Sequence, residues 1–326
     1  MSIELDQQET AIALRFDWTV EELRDIYNLP LNELLFEAQR IHRMFHDPTK
    51  IQKCTLLSIK TGRCPENCGY CPQSAHHDAE VDDHGLLDVD GVLAAAKEAK
   101  EAGSSRFCMG ASWRDAPKND QFDQVLEMVR GVKDLGMEAC CTLGMLTDDQ
   151  AKDLAEAGLT SYNHNLDTSE EYYDKVVTTR SYQERLDTLQ RVRESGVSLC
   201  TGGIIGMGES IDDRMSMLVT LAEHDPHPES VPINMLLAMP GTPMADLPPV
   251  DSFEMVRMIA TARIAMPNSR VRFAAGRVEL SHETQALCFM AGANSIFTGD
   301  KLLTTPNPNE NQDEVLLSKC GLQGEA

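Results

Sequence analysis

From about residue 54 to about residue 300, short apolar runs alternate with longer stretches whose apolar positions recur at helical spacing. The pattern predicts strands at 55–59, 105–109, 138–143, 159–166, 198–205, 231–236, 270–274 and 295–298. Between them it predicts helices at 90–101, 121–135, 148–157, 182–194, 212–223, 253–265 and 283–291. Gly103, Gly136, Gly158, Gly196 and Gly292 stand where helices end ahead of the next strand. Parallel strands need crossover connections, so the repeated βα unit predicts a parallel sheet with helices outside it. About eight such units favour a closed (β/α)8 TIM-type barrel, here expected over residues 51–305, over an open doubly wound sheet. No Gly-x-Gly-x-x-Gly opens the first helix, which also weakens a dinucleotide-binding fold. Residues 1–50 read as an N-terminal helical extension: Thr19 and Glu22 have capping-box spacing, and Leu34, Ala38, Ile41 and Phe45 form a helical stripe. Residues 306–326 begin Pro- and Asn-rich and turn weakly helical, a C-terminal tail expected to wrap the barrel or fray.

Charge then narrows the classes of function. The 326 residues carry 29 Lys and Arg against 52 Asp and Glu, a formal charge of −23. Affinity for nucleic acid or an anionic membrane comes largely from basic side chains, so neither is an expected partner. No apolar run is long enough to cross a bilayer. The start, from Met1 to Glu9, is acidic and polar, the opposite of a secretory or organellar address, so a cytoplasmic protein is expected. Ten cysteines in such a chain are buried apolar residues or metal ligands rather than disulfides.

Three of them, Cys64, Cys68 and Cys71, share one short loop at the C-terminal end of the first predicted strand, the face where barrel enzymes place their chemistry. Three thiolates can hold three irons of a 4Fe–4S cluster and leave the fourth iron open to a small molecule. Zinc on the same thiols plus His76 or His77 is the bland alternative. Others stand on later strands: Cys108, Cys140 and Cys200, with Arg272 on the seventh. Side chains alternate across a strand, so these can converge inside a barrel, although only one of the neighbours Cys140 and Cys141 can point inward. Taken singly, each strand cysteine reads as core and Arg272 as a paired rim charge.

The spacing Cys-x3-Cys-x2-Cys, with Tyr70 before the last cysteine, resembles the signature of radical S-adenosylmethionine (SAM) enzymes. Longer strings extend the likeness: Ser58-Ile59-Lys60-Thr61-Gly62, Cys71-Pro72-Gln73-Ser74, Phe107-Cys108-Met109-Gly110, Tyr162-Asn163-His164-Asn165-Leu166-Asp167-Thr168 and Lys301-Leu302-Leu303-Thr304-Thr305-Pro306-Asn307-Pro308. Together they resemble the biotin synthase family from about residue 20 to about residue 310.

The resemblance implies a 4Fe–4S cluster on Cys64, Cys68 and Cys71, and a 2Fe–2S cluster on Cys108, Cys140, Cys200 and Arg272. It implies sulfur insertion into dethiobiotin, with the second cluster as sulfur donor. Tyr70, Asn165, Asp167, Arg185, Gly202, Ile204 and Gly206 would seat SAM. Asn165 and Asn234 would meet the ureido ring of the substrate, and Thr304 and Thr305 its carboxylate. Implied partners are a reducing flavodoxin or ferredoxin, iron–sulfur assembly proteins and a second copy of the chain. Cys54, Cys141, Cys288 and Cys320 read as core or surface residues without a role. Two rivals stand beside this: another radical SAM enzyme using the first cluster alone, and a zinc-stabilised binding protein without catalysis.

Overall fold

A computed structural model describes residues 13–325; the acidic opening segment lies outside the described residues. Strand β1 (Lys50–Lys60) is followed by β2 (Arg106–Ala111), β3 (Glu138–Thr142), β4 (Ser161–Asn163), β5 (Ser198–Cys200), β6 (Gly203–Ile205), β7 (Ser230–Met235), β8 (Arg270–Phe273) and β9 (Ser295–Thr298). Each pairs in parallel with the next position, β5 and β6 acting as two halves of one strand beside β7. Strand β9 returns to β1, so the sheet closes as an eight-position barrel. All seven helices predicted between strands are present, several with Ser, Thr, Asp or Asn caps that satisfy their first free N–H groups. The expected continuous strand over 198–205 is broken at Thr201 and Gly202. A Cβ on Gly202 would lie 2.0 Å from the Pro232 carbonyl oxygen, and the Gly202 carbonyl turns to accept from the N–H of Leu166 and Asp167.

Strict alternation along the strands separates two environments. Phe107, Met109, Ala139, Cys141, Tyr162, Leu199, Val231, Ile233, Val271 and Ile296 belong to the large apolar core shared with the helices. The opposite faces, carrying Cys54, Cys108, Cys140 and Cys200, form a separate buried cluster inside the barrel.

The N-terminal extension comprises α1 (Val20–Tyr27), whose Thr19–Glu22 capping box is formed, and α2 (Leu31–Phe45). Arg257, on the helix Ser252–Ala265, donates to the carbonyls of Tyr27 and Leu29 at 2.7 Å each, and the Trp18 indole donates to Ala265 O. After β9 come a small hairpin, β10 (Lys301–Leu302) with β11 (Thr305–Pro306), and the helix Glu310–Cys320. The chain then adds β12 (Gln323–Gly324) alongside Lys50–Ile51. The buried ion pair of Arg277 with Asp313 ties the last helix to the barrel, so the segment wraps rather than frays.

Candidate active site

The loop after β1 is held in a fixed shape by its own backbone. Cys64 N–H donates to Gln73 O at 2.9 Å, Ala75 N–H to Cys64 O at 2.7 Å, and Cys71 N–H to Cys68 O at 3.0 Å. Gly62, at φ +81°, and Arg63, at φ +53°, turn the chain out of the strand; a Cβ on Gly62 would lie 2.6 Å from Asp83 Cβ. His76 and His77 each place Nε2 3.0 Å from a backbone carbonyl, of Pro65 and Cys68 respectively, and so brace the loop. Burial pushes the Cys68 thiol up to about 11 and Cys71 to about 12, with Arg180 pulling Cys68 the other way. Metal binding at this loop must therefore displace protons. Among the described residues no three Cys, His, Asp or Glu side chains gather as they do around a single metal ion. A cluster of several irons spreads its thiolates further apart.

Inside the barrel, the structure brings Cys108, Cys140, Cys200 and Arg272 together, all of them buried. Strand register sets Cys108 beside Cys140, Cys141 points out into the apolar core, and Arg272 Nη1 lies 3.6 Å from Cys200 Sγ. Two further residues share this chamber: Cys54, which the sequence reads as without a role and whose Sγ is 3.4 Å from Arg272 Nη2, and the buried Arg106, which the sequence does not single out. Cys54 lay one residue outside the predicted strand at 55–59; running the alternation back from Leu56 would have turned it inward. Arg106 donates through Nε to Glu138, yet its Nη1 has no partner, and neither does the buried Ser230 hydroxyl. Unsatisfied buried donors are costly. An anionic iron–sulfur group held by thiolates would supply what they lack, so the chamber fits the second cluster.

Between the two cysteine groups lies a cavity of about 300 Å³. Tyr70 and Cys71 line its upper wall; Leu56 and Phe297, which also touch the inner cysteine cluster, lie at its base. Asn163, another lining residue, donates through Nδ2 to Cys200 Sγ at 3.4 Å. On one wall Asp167, at φ +69°, forms a buried ion pair with Arg185 and accepts from Tyr70 OH at 3.1 Å. Arg185 also donates to Asn165 O and, at 2.6 Å, to Tyr173 OH. Arg180 adds a second guanidinium, so this wall carries two positive charges against one carboxylate and suits an anionic end of a ligand. Neither Arg180 nor His164 had been singled out. The buried His164 ring, with Nε2 unpartnered, is held well below its ordinary pKa by burial and by Arg185 and Arg180.

Of the three residues expected around the adenosyl group, Ile204 lines the cavity while Gly202 and Gly206 lie behind it. Both glycines are needed where they stand: a Cβ on Gly206, at φ +96°, would meet Val250 Cγ2 at 2.2 Å. Asn165 lines the cavity and accepts from Asn163 at 3.2 Å. Asn234 donates to Gly203 O and accepts from Ala275 N–H, leaving one N–H and one lone pair for a ligand. Thr304 and Thr305 close the rim, next to Leu303 at φ +36°.

Residues 58–221 match the Radical SAM superfamily, and residues 232–323 match the Biotin and Thiamin Synthesis associated domain. A biotin synthase of Sorangium cellulosum is 61% identical over 311 residues, covering 95% of this chain and 89% of that protein. One from Methylobacterium sp. (strain 4-46) is 60% identical over 311 residues, covering 95% and 94%. Among solved structures, methylornithine synthase superposes with a TM-score of 0.80 at 18% identity, covering 94% of each chain. The FeFe-hydrogenase maturase of Carboxydothermus hydrogenoformans gives 0.80 at 14% identity, covering 94% and 76%; these two likenesses speak to fold alone. By sequence, over nearly its whole length, the chain belongs to the biotin synthase family of radical SAM enzymes.

Proposed function

We propose that the chain inserts sulfur into dethiobiotin to form biotin, using SAM, a 4Fe–4S cluster on Cys64, Cys68 and Cys71, and a 2Fe–2S cluster on Cys108, Cys140, Cys200 and Arg272. One observation carries this: two separate cysteine groups flank a single cavity, one on the loop above it and one in the chamber beneath. When bound, the outer cluster supplies the electron that cleaves SAM to a 5′-deoxyadenosyl radical, and the inner cluster supplies the sulfur.

The side chains do the rest. The carbons to be joined carry unactivated C–H bonds, which no protein base of accessible pKa can deprotonate, so the chain's task is to position and shield rather than to move protons. Arg185 and Arg180 face the carboxylate of the methionine part of SAM, and Asp167 its ammonium or the ribose hydroxyls. Tyr70 steadies Asp167, and Ile204 packs on the adenosyl group. Asn165 and Asn234 offer both donor and acceptor to the ureido ring, while Thr304 and Thr305 hold the substrate carboxylate at the rim. Leu56 and Phe297 keep water from the space between the reacting carbons and the inner chamber. The catalytic unit on this view is 51–305, with 1–50 and 306–326 as extension and tail. It works as a cytoplasmic homodimer, reduced by a flavodoxin or ferredoxin and loaded by iron–sulfur assembly proteins.

Anaerobic reconstitution followed by metal and acid-labile sulfide analysis tests the assignment. About six irons and about six sulfides per chain are expected. About four of each would leave a radical SAM enzyme with one cluster, and zinc without a brown chromophore would end the enzyme assignment.

A further inference from the structure

The inner chamber holds one thiol more than the proposed cluster uses. Cys54, Cys108, Cys140 and Cys200 form one buried cluster, set apart from the rest of the core. Arg272 reaches into it from β8, with its guanidinium between two sulfurs: Nη1 is 3.6 Å from Cys200 Sγ and Nη2 is 3.4 Å from Cys54 Sγ. Cys54 is fully buried, its strand pairs directly with the strand of Cys108, and its Cα partner on that strand is Arg106. Arg106 Nη1 is one of the donors left without a partner. Ser295 Oγ, 3.6 Å from Cys54 Sγ, also receives a hydrogen bond from Arg272 Nε at 3.0 Å, so the same hydroxyl holds both side chains in place.

Ligand chemistry ranks the two neighbours. Thiolate is the softer donor and the ordinary ligand of iron–sulfur clusters. A guanidinium has no lone pair to give until it loses a proton it holds very tightly. We propose that Cys54 is a further iron-binding residue of the inner site, able to take the coordination position assigned to Arg272. This rests on the assignment of a 2Fe–2S cluster to the chamber. The exchange balances without an added reagent. An iron–sulfur bond forms at Cys54 as the iron–nitrogen bond to Arg272 breaks. The thiol proton passes to the departing guanidine, which becomes a guanidinium, and no iron changes oxidation state.

The test compares the wild-type chain with Cys54→Ser, Arg272→Leu and the double variant, each reconstituted anaerobically with ferrous iron and sulfide. Iron and sulfide are counted, and Mössbauer spectra are recorded. Wild type and both single variants should hold about six irons, and the double variant about four, all of them in the outer cluster. A far-UV circular dichroism spectrum and thermal midpoint matching those of the wild-type chain show that the double variant has folded. In Arg272→Leu the two inner irons should give matching, all-sulfur signals; in Cys54→Ser they should differ, one iron having a nitrogen ligand. Loss of the inner cluster from Arg272→Leu alone would overturn the proposal, and so would its retention in the double variant. A wild-type chain holding only about four irons would instead remove the inner cluster itself, a separate and larger failure.

Discussion

At the scale of single residues, the proposed function divides the chemistry between the two cysteine groups. Cys64→Ala should abolish both SAM cleavage and biotin formation. Cys200→Ala should still cleave SAM to 5′-deoxyadenosine while making no biotin. Chromatography of both products checks this, and biotin from the second variant or cleavage by the first would contradict the division. Asp167 answers to a different assay. It is buried against Arg185 and Tyr70, and its carboxylate is assigned to the SAM ammonium or ribose. Asp167→Asn removes one charge-assisted interaction, worth about 1.5–3 kcal/mol, so SAM affinity measured by equilibrium dialysis should fall about 10- to 150-fold. An unchanged affinity would move that contact elsewhere. Which residues were legible beforehand followed from how local their signal is. The loop cysteines announce themselves by spacing. Arg180 and His164 do not, because their place on the cavity wall depends on where strands and loops meet in space. Cys54 was hidden by a single uncertain strand boundary.

At the scale of elements, alternation and caps made most of the barrel readable, and contacts between distant segments accounted for the rest. The capping box at Thr19 and the helix-ending glycines are local chemistry. The break after β5 is not: it follows from Gly202 lying against the carbonyl of Pro232, a residue 30 positions later. The last helix likewise looked only weakly helical because its anchor is remote. Arg277 lies 0% and Asp313 2% exposed, and the two pair across the barrel wall. Asp313→Ala leaves a buried guanidinium without its partner, and the expected loss of stability is about 3–5 kcal/mol. Denaturant unfolding of the two proteins should show it as a lower midpoint at unchanged slope; a loss below about 1 kcal/mol would mean that the tail is held chiefly by other contacts.

For the whole molecule, acidity bears on stability through buried imidazoles. Burial, and after it the neighbouring Arg263 guanidinium, bring His42 down to about 3 and His46 to about 4. His46 Nε2 lies 2.9 Å from both Arg263 Nη1 and the Pro267 carbonyl oxygen, so it accepts from the first or donates to the second. In the unfolded chain both rings take up protons near pH 6.5. Their folded values are lower, so the stability they contribute is complete above that pH and is lost as pH falls toward about 4 and about 3. The thermal midpoint should therefore fall between pH 6.5 and 5, and fall less steeply in a His42→Gln, His46→Gln variant. Equal slopes would show that the two rings do not sense the acid.

The central claim is that an inner cluster in the barrel gives up the sulfur that becomes part of biotin. Its most direct test is to reconstitute the chain with sulfide enriched in sulfur-34, remove the excess, and run a single turnover with unlabelled SAM and dethiobiotin. Mass spectrometry should find the heavy isotope in the biotin formed, together with loss of the inner cluster's iron and visible absorption while the outer cluster remains. Biotin carrying only natural-abundance sulfur, or labelled biotin from a protein whose inner chamber never held iron, would contradict the account.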